Sequence, residues 1–269
     1  NVFARNEGDR IVYYRIDSPA GADLWDDHWK DNIRVDLKKF YRSYLRGFLG
    51  YGQLQRIFLR HLPRKGLILD GGCGMGQYVA ALRARGYDCF GVDFAPKTVE
   101  RVKSYLPDLP VETGDICHLN LNDESIDAYI SLGIVEHFQN GPYDALKEAM
   151  RVLKDNGVLI VSVPHAFPWR RLDAHSQGTS LPENASFYQY AFSPDEFRTI
   201  LLNTGLQVEF EYGYSSHYAF KLRFKTFRKL LRWFPRLAHI DLLFDRTPIG
   251  RKLARMRLYV AKKNRKHNA

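Results

Sequence analysis

Residues 67–76, Leu67-Ile68-Leu69-Asp70-Gly71-Gly72-Cys73-Gly74-Met75-Gly76, decide the fold. A short apolar run reads as a buried strand, an acid closes it, and glycines follow before a helical pattern begins at Tyr78. Glycines at 72, 74 and 76 let the backbone turn tightly and approach a ligand without side-chain clash. A dinucleotide fingerprint starting at Gly72 would need glycine at position 77, where Gln77 stands. A ligand without pyrophosphate fits this spacing better. The Asp70 carboxylate can draw in a cationic ammonium group, directly or through water.

Outward from this loop, short apolar runs alternate with helical segments. Strands are expected at 89–92, around Val111, and at 126–132, 158–163, 206–210 and 258–261. Between them a helix opens at Pro96, another spans 143–153 and ends at Asn156-Gly157, and Ser193-Pro194-Asp195-Glu196 starts a third with Ser as N-cap and Glu at N3. This alternation implies βαβ units and a parallel sheet. Residues 165–192 read as a surface loop. Upstream, Ile33, Leu37, Phe40, Tyr41, Tyr44, Leu45 and Phe48 recur at helical spacing, and Gly50 and Gly52 divide the pattern into two helices. Residues 1–61, with an aromatic cluster of Trp25, His28 and Trp29, are therefore expected to form an N-terminal helical cap.

Two further strand ends carry chemistry. Asp93 ends the next strand, where an acid can accept both hydroxyls of a ribose, and Phe94 can pack on an adenine face. Asp93 can equally cap the helix that starts at Pro96. In Gly114-Asp115-Ile116, Asp115 can accept from an adenine amino group and the Ile116 N–H can donate to a ring nitrogen. Gly-Asp alone is an ordinary turn pair. In series, three successive strand ends offer what one adenosine needs.

These residues resemble the class I S-adenosylmethionine-dependent methyltransferases over 67–163 and again over 193–263. The stretches 125–137 (SIDAYISLGIVEH) and 146–157 (LKEAMRVLKDNG) belong to the same likeness. The resemblance implies a doubly wound α/β fold: a seven-stranded, mostly parallel Rossmann-like sheet whose last strand is antiparallel. It implies S-adenosylmethionine as cofactor. Asp70, Gly71, Gly72, Gly74 and Gly76 would hold its methionine part, Asp93 its ribose, and Asp115 with Ile116 its adenine. The backbone near Ser131 and Leu132 would face the methionine end. Residues 62–269 then form the methyltransferase domain, and inserts at 165–192 and 212–256 roof the acceptor site.

Charge is uneven. Residues 217–269 hold 16 Lys or Arg against Asp241 and Asp245, whereas the remainder holds 24 basic and 28 acidic residues. The excess positive charge thus lies in the last fifth of the chain. Over 220–234, Phe220, Phe224, Phe227, Leu230, Leu231 and Phe234 share one helical face, and Lys221, Lys225, Arg228, Lys229 and Arg232 another. Such a helix suits an anionic membrane interface, although its aromatic face can instead pack on the sheet. The expected acceptor is a small molecule or a lipid-linked saccharide near a membrane, methylated at oxygen.

A hydroxyl acceptor benefits from a general base, for which His137 is the first candidate, ahead of Glu136, His165, His175 and Asp173. No metal-ligand spacing is evident. The three cysteines, Cys73, Cys89 and Cys117, lack paired spacing, and no signal peptide or bilayer-length apolar run is read. The expected setting is the cytoplasm, peripheral to the inner face of a membrane. The sequence signatures of base methylation are absent, so nucleic acid is the less favoured acceptor. Two alternatives remain: an RNA methyltransferase, and a non-catalytic cofactor-binding protein.

Overall fold

The computed structural model describes residues 2–16, 21–32, 36–50, 53–234 and 244–263. The chain opens with a hairpin rather than with helices: β1 (Val2–Glu7) and β2 (Arg10–Ile16) pair antiparallel around Gly8, whose φ is +58°. This corrects the expected all-helical cap. The aromatic and β-branched run Ile11-Val12-Tyr13-Tyr14 favours a strand, but a two-stranded hairpin is marginal alone. Its third strand comes from far along the chain, as described below.

Helices then follow: α1 (Ala22–Asn32), α2 (Leu37–Tyr41), a 3-10 turn (Tyr44–Arg46) and α3 (Gln53–His61). Of the residues expected to shape this region, Ile33 and Gly52 lie outside the described residues, as does the His28 side chain. The chain next alternates β3 (Leu67–Gly71), α4 (Gln77–Arg83), β4 (Asp88–Asp93), α5 (Pro96–Tyr105), β5 (Val111–Thr113), β6 (Ile126–Leu132), α6 (Tyr143–Val152) and β7 (Leu153–Pro164). Helix α6 stops before Asn156-Gly157. That pair instead forms part of β7, with Asn156 at φ +62°.

Residues 165–192 are not one loop. They hold α7 (Pro168–Leu172) and β8 (Ala185–Ala191). Strand β8 pairs with β2 to complete a three-stranded sheet, β1-β2-β8. Strand β8 shows no buried alternation by itself, because its ladder partner lies some 170 residues away. Beyond it come α8 (Pro194–Asn203), with the Ser193 side chain accepting from the Glu196 N–H as expected, and β9 (Leu206–Tyr214). The basic segment forms two helices, α9 (His217–Arg223) and α10 (Lys225–Trp233), broken where Phe224 is extended. Last are α11 (Pro248–Leu253) and β10 (Met256–Lys263).

The central sheet has the order β5-β4-β3-β6-β7-β10-β9, with β10 antiparallel to both neighbours and the other pairs parallel. This is the doubly wound seven-stranded sheet that the sequence implies. Alternate strand residues enter two cores. On one face Ile68, Ile130, Ile160 and Val260 pack with Phe58, Leu82 and Val99 from α3, α4 and α5. On the other, Leu69, Tyr129, Val161 and Tyr259 pack with Leu146 and Phe197 from α6 and α8.

A candidate active site at the carboxyl edge of the sheet

In a parallel sheet the loops leaving the strands' carboxyl ends build the ligand crevice, and the strand order reverses here between β3 and β6. A cavity of about 530 Å³ lies at that point. Asp70, Gly72, Cys73, Gln77, Asp93, Phe94, Asp115, Ile116 and Leu132 line it, drawn from the loops after β3, β4, β5 and β6.

The glycine loop is bolted to β4. The N–H groups of Gly72 and Cys73 both donate to the Val92 carbonyl, at 2.8 and 3.1 Å. Asp93 completes the fastening. Its Oδ2 accepts from the Gly74 N–H at 2.7 Å and its Oδ1 from the Ala95 N–H at 3.0 Å. Asp93 thus fixes the turn leading into α5 rather than capping it, since the N-cap residue is Ala95, and it still faces the cavity. At Gly72 (φ +79°) a Cβ would stand 2.5 Å from the Ile134 side chain, and at Gly74 (φ +53°) 2.5 Å from the Trp29 indole. Gly71, Gly74 and Gly76, also expected at the site, do not line the cavity themselves.

Asp70 is buried on β3. Burial, reinforced by the charge of Asp93, raises its carboxyl to about 7. Its Oδ2 has no hydrogen-bond donor among the described residues, so the site lacks a cationic or N–H donor that a ligand can supply. Burial likewise raises Asp93, opposed by the N–H groups of Ala95 and Gly74. Asp115 accepts from the Cys117 N–H at 2.8 Å, which orients it at the rim. Ser131 is buried behind the wall with its Oγ unpartnered among the described residues, whereas Leu132 lines the cavity itself.

Sequence reasoning missed much of the remaining lining: Trp25, Trp29, Tyr78, Gly133, Ile134 and Phe138. Its only signal was the aromatic cluster near Trp25. Helix α1 lays both tryptophans over the cavity. It is held there by Asp26, whose Oδ1 accepts from both the N–H and the Oγ of Thr98, each at 2.8 Å. Thr98 lies in the first turn of α5, whose N-cap residue Ala95 has no side chain to offer, so Asp26 satisfies that helix end from outside.

Of the five candidate bases only His137 lines the cavity. Its ring meets Trp25 edge-on at 4.6 Å, and its Nδ1 donates to the Tyr188 carbonyl at 2.8 Å. Glu136 is buried beside it, with Oε1 3.9 Å from His137 Nε2, and burial pushes its carboxyl up to about 8 against the pull of Arg170 and Arg255. His165 is buried against the Ala254 carbonyl and held neutral, its pKa lowered to about 4 by burial and by Arg257. His175 stacks on Phe3, and Asp173 is exposed at the end of α7. These last three stand away from the cavity. Among the described residues no cluster of His, Cys, Asp and Glu could hold a metal ion.

Known proteins repeat this arrangement. A family model described as "Methyltransferase domain" matches residues 69–161. A probable S-adenosylmethionine-dependent methyltransferase of Mycolicibacterium smegmatis is 27% identical over 142 residues, which cover 53% of this chain and 52% of that protein. The tRNA (carboxymethyluridine(34)-5-O)-methyltransferase of Arabidopsis thaliana is 30% identical over 39% of this chain and 26% of its own length. The chain thus spans about half the length of the curated relatives it matches first. Among solved structures, a chain of the complex between the Haloferax volcanii Trm112 methyltransferase activator and its methyltransferase superposes with a TM-score of 0.59. The match is 19% identical and covers 92% of this chain and 97% of that one. The domain match falls on the strands that build the cavity, so residues 69–161 carry a methyltransferase domain, and the fold is the one shared with solved methyltransferases.

Proposed function

We propose that the chain transfers the methyl group of S-adenosylmethionine to an oxygen of a lipid-linked or saccharide acceptor presented near an anionic membrane surface. The cofactor fits the residues present: the undonated Oδ2 of buried Asp70 faces the cavity and calls for an ammonium group. In this reading Asp70 and the glycine loop hold the methionine part, Asp93 the ribose, and Asp115 with Ile116 the adenine beside Phe94. S-adenosylmethionine supplies a methyl group already activated on a sulfonium. The protein's task is therefore alignment and exclusion of water. Trp25 and Trp29 cover the cavity, and His137 takes the hydroxyl proton of the acceptor at Nε2.

The observation that carries the acceptor reading is α10. Helix α9 packs its aromatic side inward, with Phe220 against Trp169 at 5.8 Å and Phe244 at 5.0 Å. By contrast Phe224, Leu230, Trp233 and Phe234, on α10 and at its ends, are exposed, Trp233 by 81%. Lys221, Lys225 and Lys229 accompany them; the side chains of Arg228, Leu231 and Arg232 lie outside the described residues, as does Pro235. Exposed aromatics flanked by lysines suit an anionic headgroup layer. The helices follow β9, whose end lies on the cavity's edge of the sheet, as Tyr214 Oη near Ser162 shows. No helix among the described residues is long and apolar enough to cross a membrane.

The decisive experiment is methyl transfer from radiolabelled S-adenosylmethionine into cell extract separated into lipid and glycan, RNA, protein and small-molecule fractions. Label in lipid or glycan is expected. Label in RNA would overturn the acceptor reading and align the chain with its tRNA-methylating relative. Cofactor binding without label in any fraction would point to a binding protein.

A further inference from the structure

Beside the cofactor cavity, on the side of His137 and Glu136, three arginines lie on three tyrosines. Arg170 stands over the Tyr13 ring at 4.8 Å and donates from Nε to its hydroxyl at 2.5 Å. Arg255 stands over Tyr218 at 4.3 Å, and Arg15 over Tyr188 at 5.7 Å. The six residues come from β2, α7, β8, α9 and the approach to β10, so five separate segments converge here. They adjoin the cavity through His137, whose ring is 5.2 Å from that of Tyr188.

Among the described residues the charge of this cluster is unbalanced. No carboxylate among the described residues lies within ion-pair distance of any of the three guanidinium groups, although the rest of the fold pairs its arginines freely, as Arg151, Arg198 and Arg257 do. Glu136 lies close enough to feel Arg170 and Arg255, and burial pushes its carboxyl up to about 8. His165, whose carbonyl accepts from Arg170 Nη1 at 3.3 Å, contributes no negative charge. Arg170 is itself only 7% exposed. A guanidinium as buried as that of Arg170, backed by an aromatic ring and a carbonyl and with no counter-ion among the described residues, is costly unless an anion arrives. The Tyr13 hydroxyl and the His165 carbonyl take Nε and Nη1 of Arg170, which leaves its Nη2 donors for an anion, while Arg15 and Arg255 lie against tyrosine rings.

Resting on the methyl-transfer reading above, we propose that this Arg–Tyr cluster receives an oxyanion group of the acceptor, a carboxylate or a phosphate ester. The anion would sit beside His137, so the hydroxyl to be methylated is carried on the same acidic molecule. The bulge in the β2–β8 ladder at Tyr13/Tyr14 serves this arrangement. It leaves Tyr188 without a register partner, free to give its carbonyl to His137 and its ring to Arg15.

The test titrates inorganic pyrophosphate and, separately, glucuronate into the full chain saturated with S-adenosylhomocysteine, by calorimetry. Binding of at least one probe is expected, and which one binds identifies the oxyanion. R255Q, at an exposed position, should weaken that binding tenfold or more while leaving S-adenosylhomocysteine affinity unchanged. R170Q should do the same if it folds. Failure of both probes to bind, or wild-type binding by R255Q, would overturn the proposal. So would a methylated product from extract that passes unretained through an anion exchanger. Absence of any methylated product would instead strike the methyl-transfer reading, leaving the probe titration to judge the anion site by itself.

Discussion

The Tyr188 carbonyl accepts a hydrogen bond from His137 Nδ1 at 2.8 Å. A carbonyl can only accept, so the neutral imidazole carries its proton on Nδ1 and its lone pair on Nε2. A bulged strand of the small sheet therefore sets the tautomer of a residue in the turn after β6. His137→Gln should lower kcat by roughly 10²–10⁴ if the ring acts as base. Cofactor affinity by calorimetry should not change. An unaltered kcat would reduce His137 to a wall residue.

Asp70 should couple cofactor binding to protons. Its folded carboxyl is raised to about 7 from 3.8, so below pH 7 the empty site holds a neutral acid. An ammonium ligand needs the carboxylate. Affinity should therefore fall by up to tenfold per pH unit between about pH 7 and pH 5, with proton release on binding near neutrality. For the empty chain the sign is the reverse. A raised acid costs nothing below pH 3.8, and its penalty grows until pH passes 7. Asp70→Asn should thus raise the melting temperature at pH 8, abolish the pH dependence of binding and weaken it throughout.

Asp93→Ala leaves the N–H groups of Gly74 and Ala95 without their acceptor. Losing hydrogen bonds to a charged group costs about 1.5–3 kcal/mol each. A lower melting temperature is expected together with at least tenfold weaker cofactor binding. If binding falls while melting does not, the carboxylate serves the ligand alone.

Gly74→Ala places a Cβ 2.5 Å from Trp29 at a φ of +53°. It should displace α1 and weaken the cofactor. Adding Trp29→Ala should relieve the clash but not the backbone strain of about 1–2 kcal/mol. Tryptophan fluorescence on cofactor titration would report α1 directly.

Replacing Lys221, Lys225 and Lys229 by Glu should release the chain from vesicles containing phosphatidylserine. At about 1 kcal/mol per charge lost, affinity should fall about a hundredfold or more. Failure of the native chain to co-sediment with such vesicles would remove the membrane from the acceptor reading.

The cofactor half of this fold was legible because its signals are local. The strand, the glycine loop and the acid at each strand end lie within a few residues of one another, and their geometry follows from backbone rules. The Ser193 cap was legible for the same reason, whereas the antiparallel direction of the last strand followed only from the family resemblance. The small sheet and the placement of α1 were not. Tyr13 and Tyr188 become neighbours only through β2–β8 pairing, and Asp26 becomes a helix cap only by meeting Thr98. The continuous helix expected over 220–234 fails at Phe224, because Phe220 turns inward to Trp169 and Phe244.

The β2–β8 ladder also orders events in time. Strand β2 is made early, yet its partner is completed only at Ala191. At ribosomal speeds of about 5–20 residues per second the hairpin waits on the order of ten seconds with one edge open. By then residues 67–164 have already emerged with most of their sheet partners in hand. Assembly of the strands around the cavity is thus separable in synthesis from completion of the small sheet.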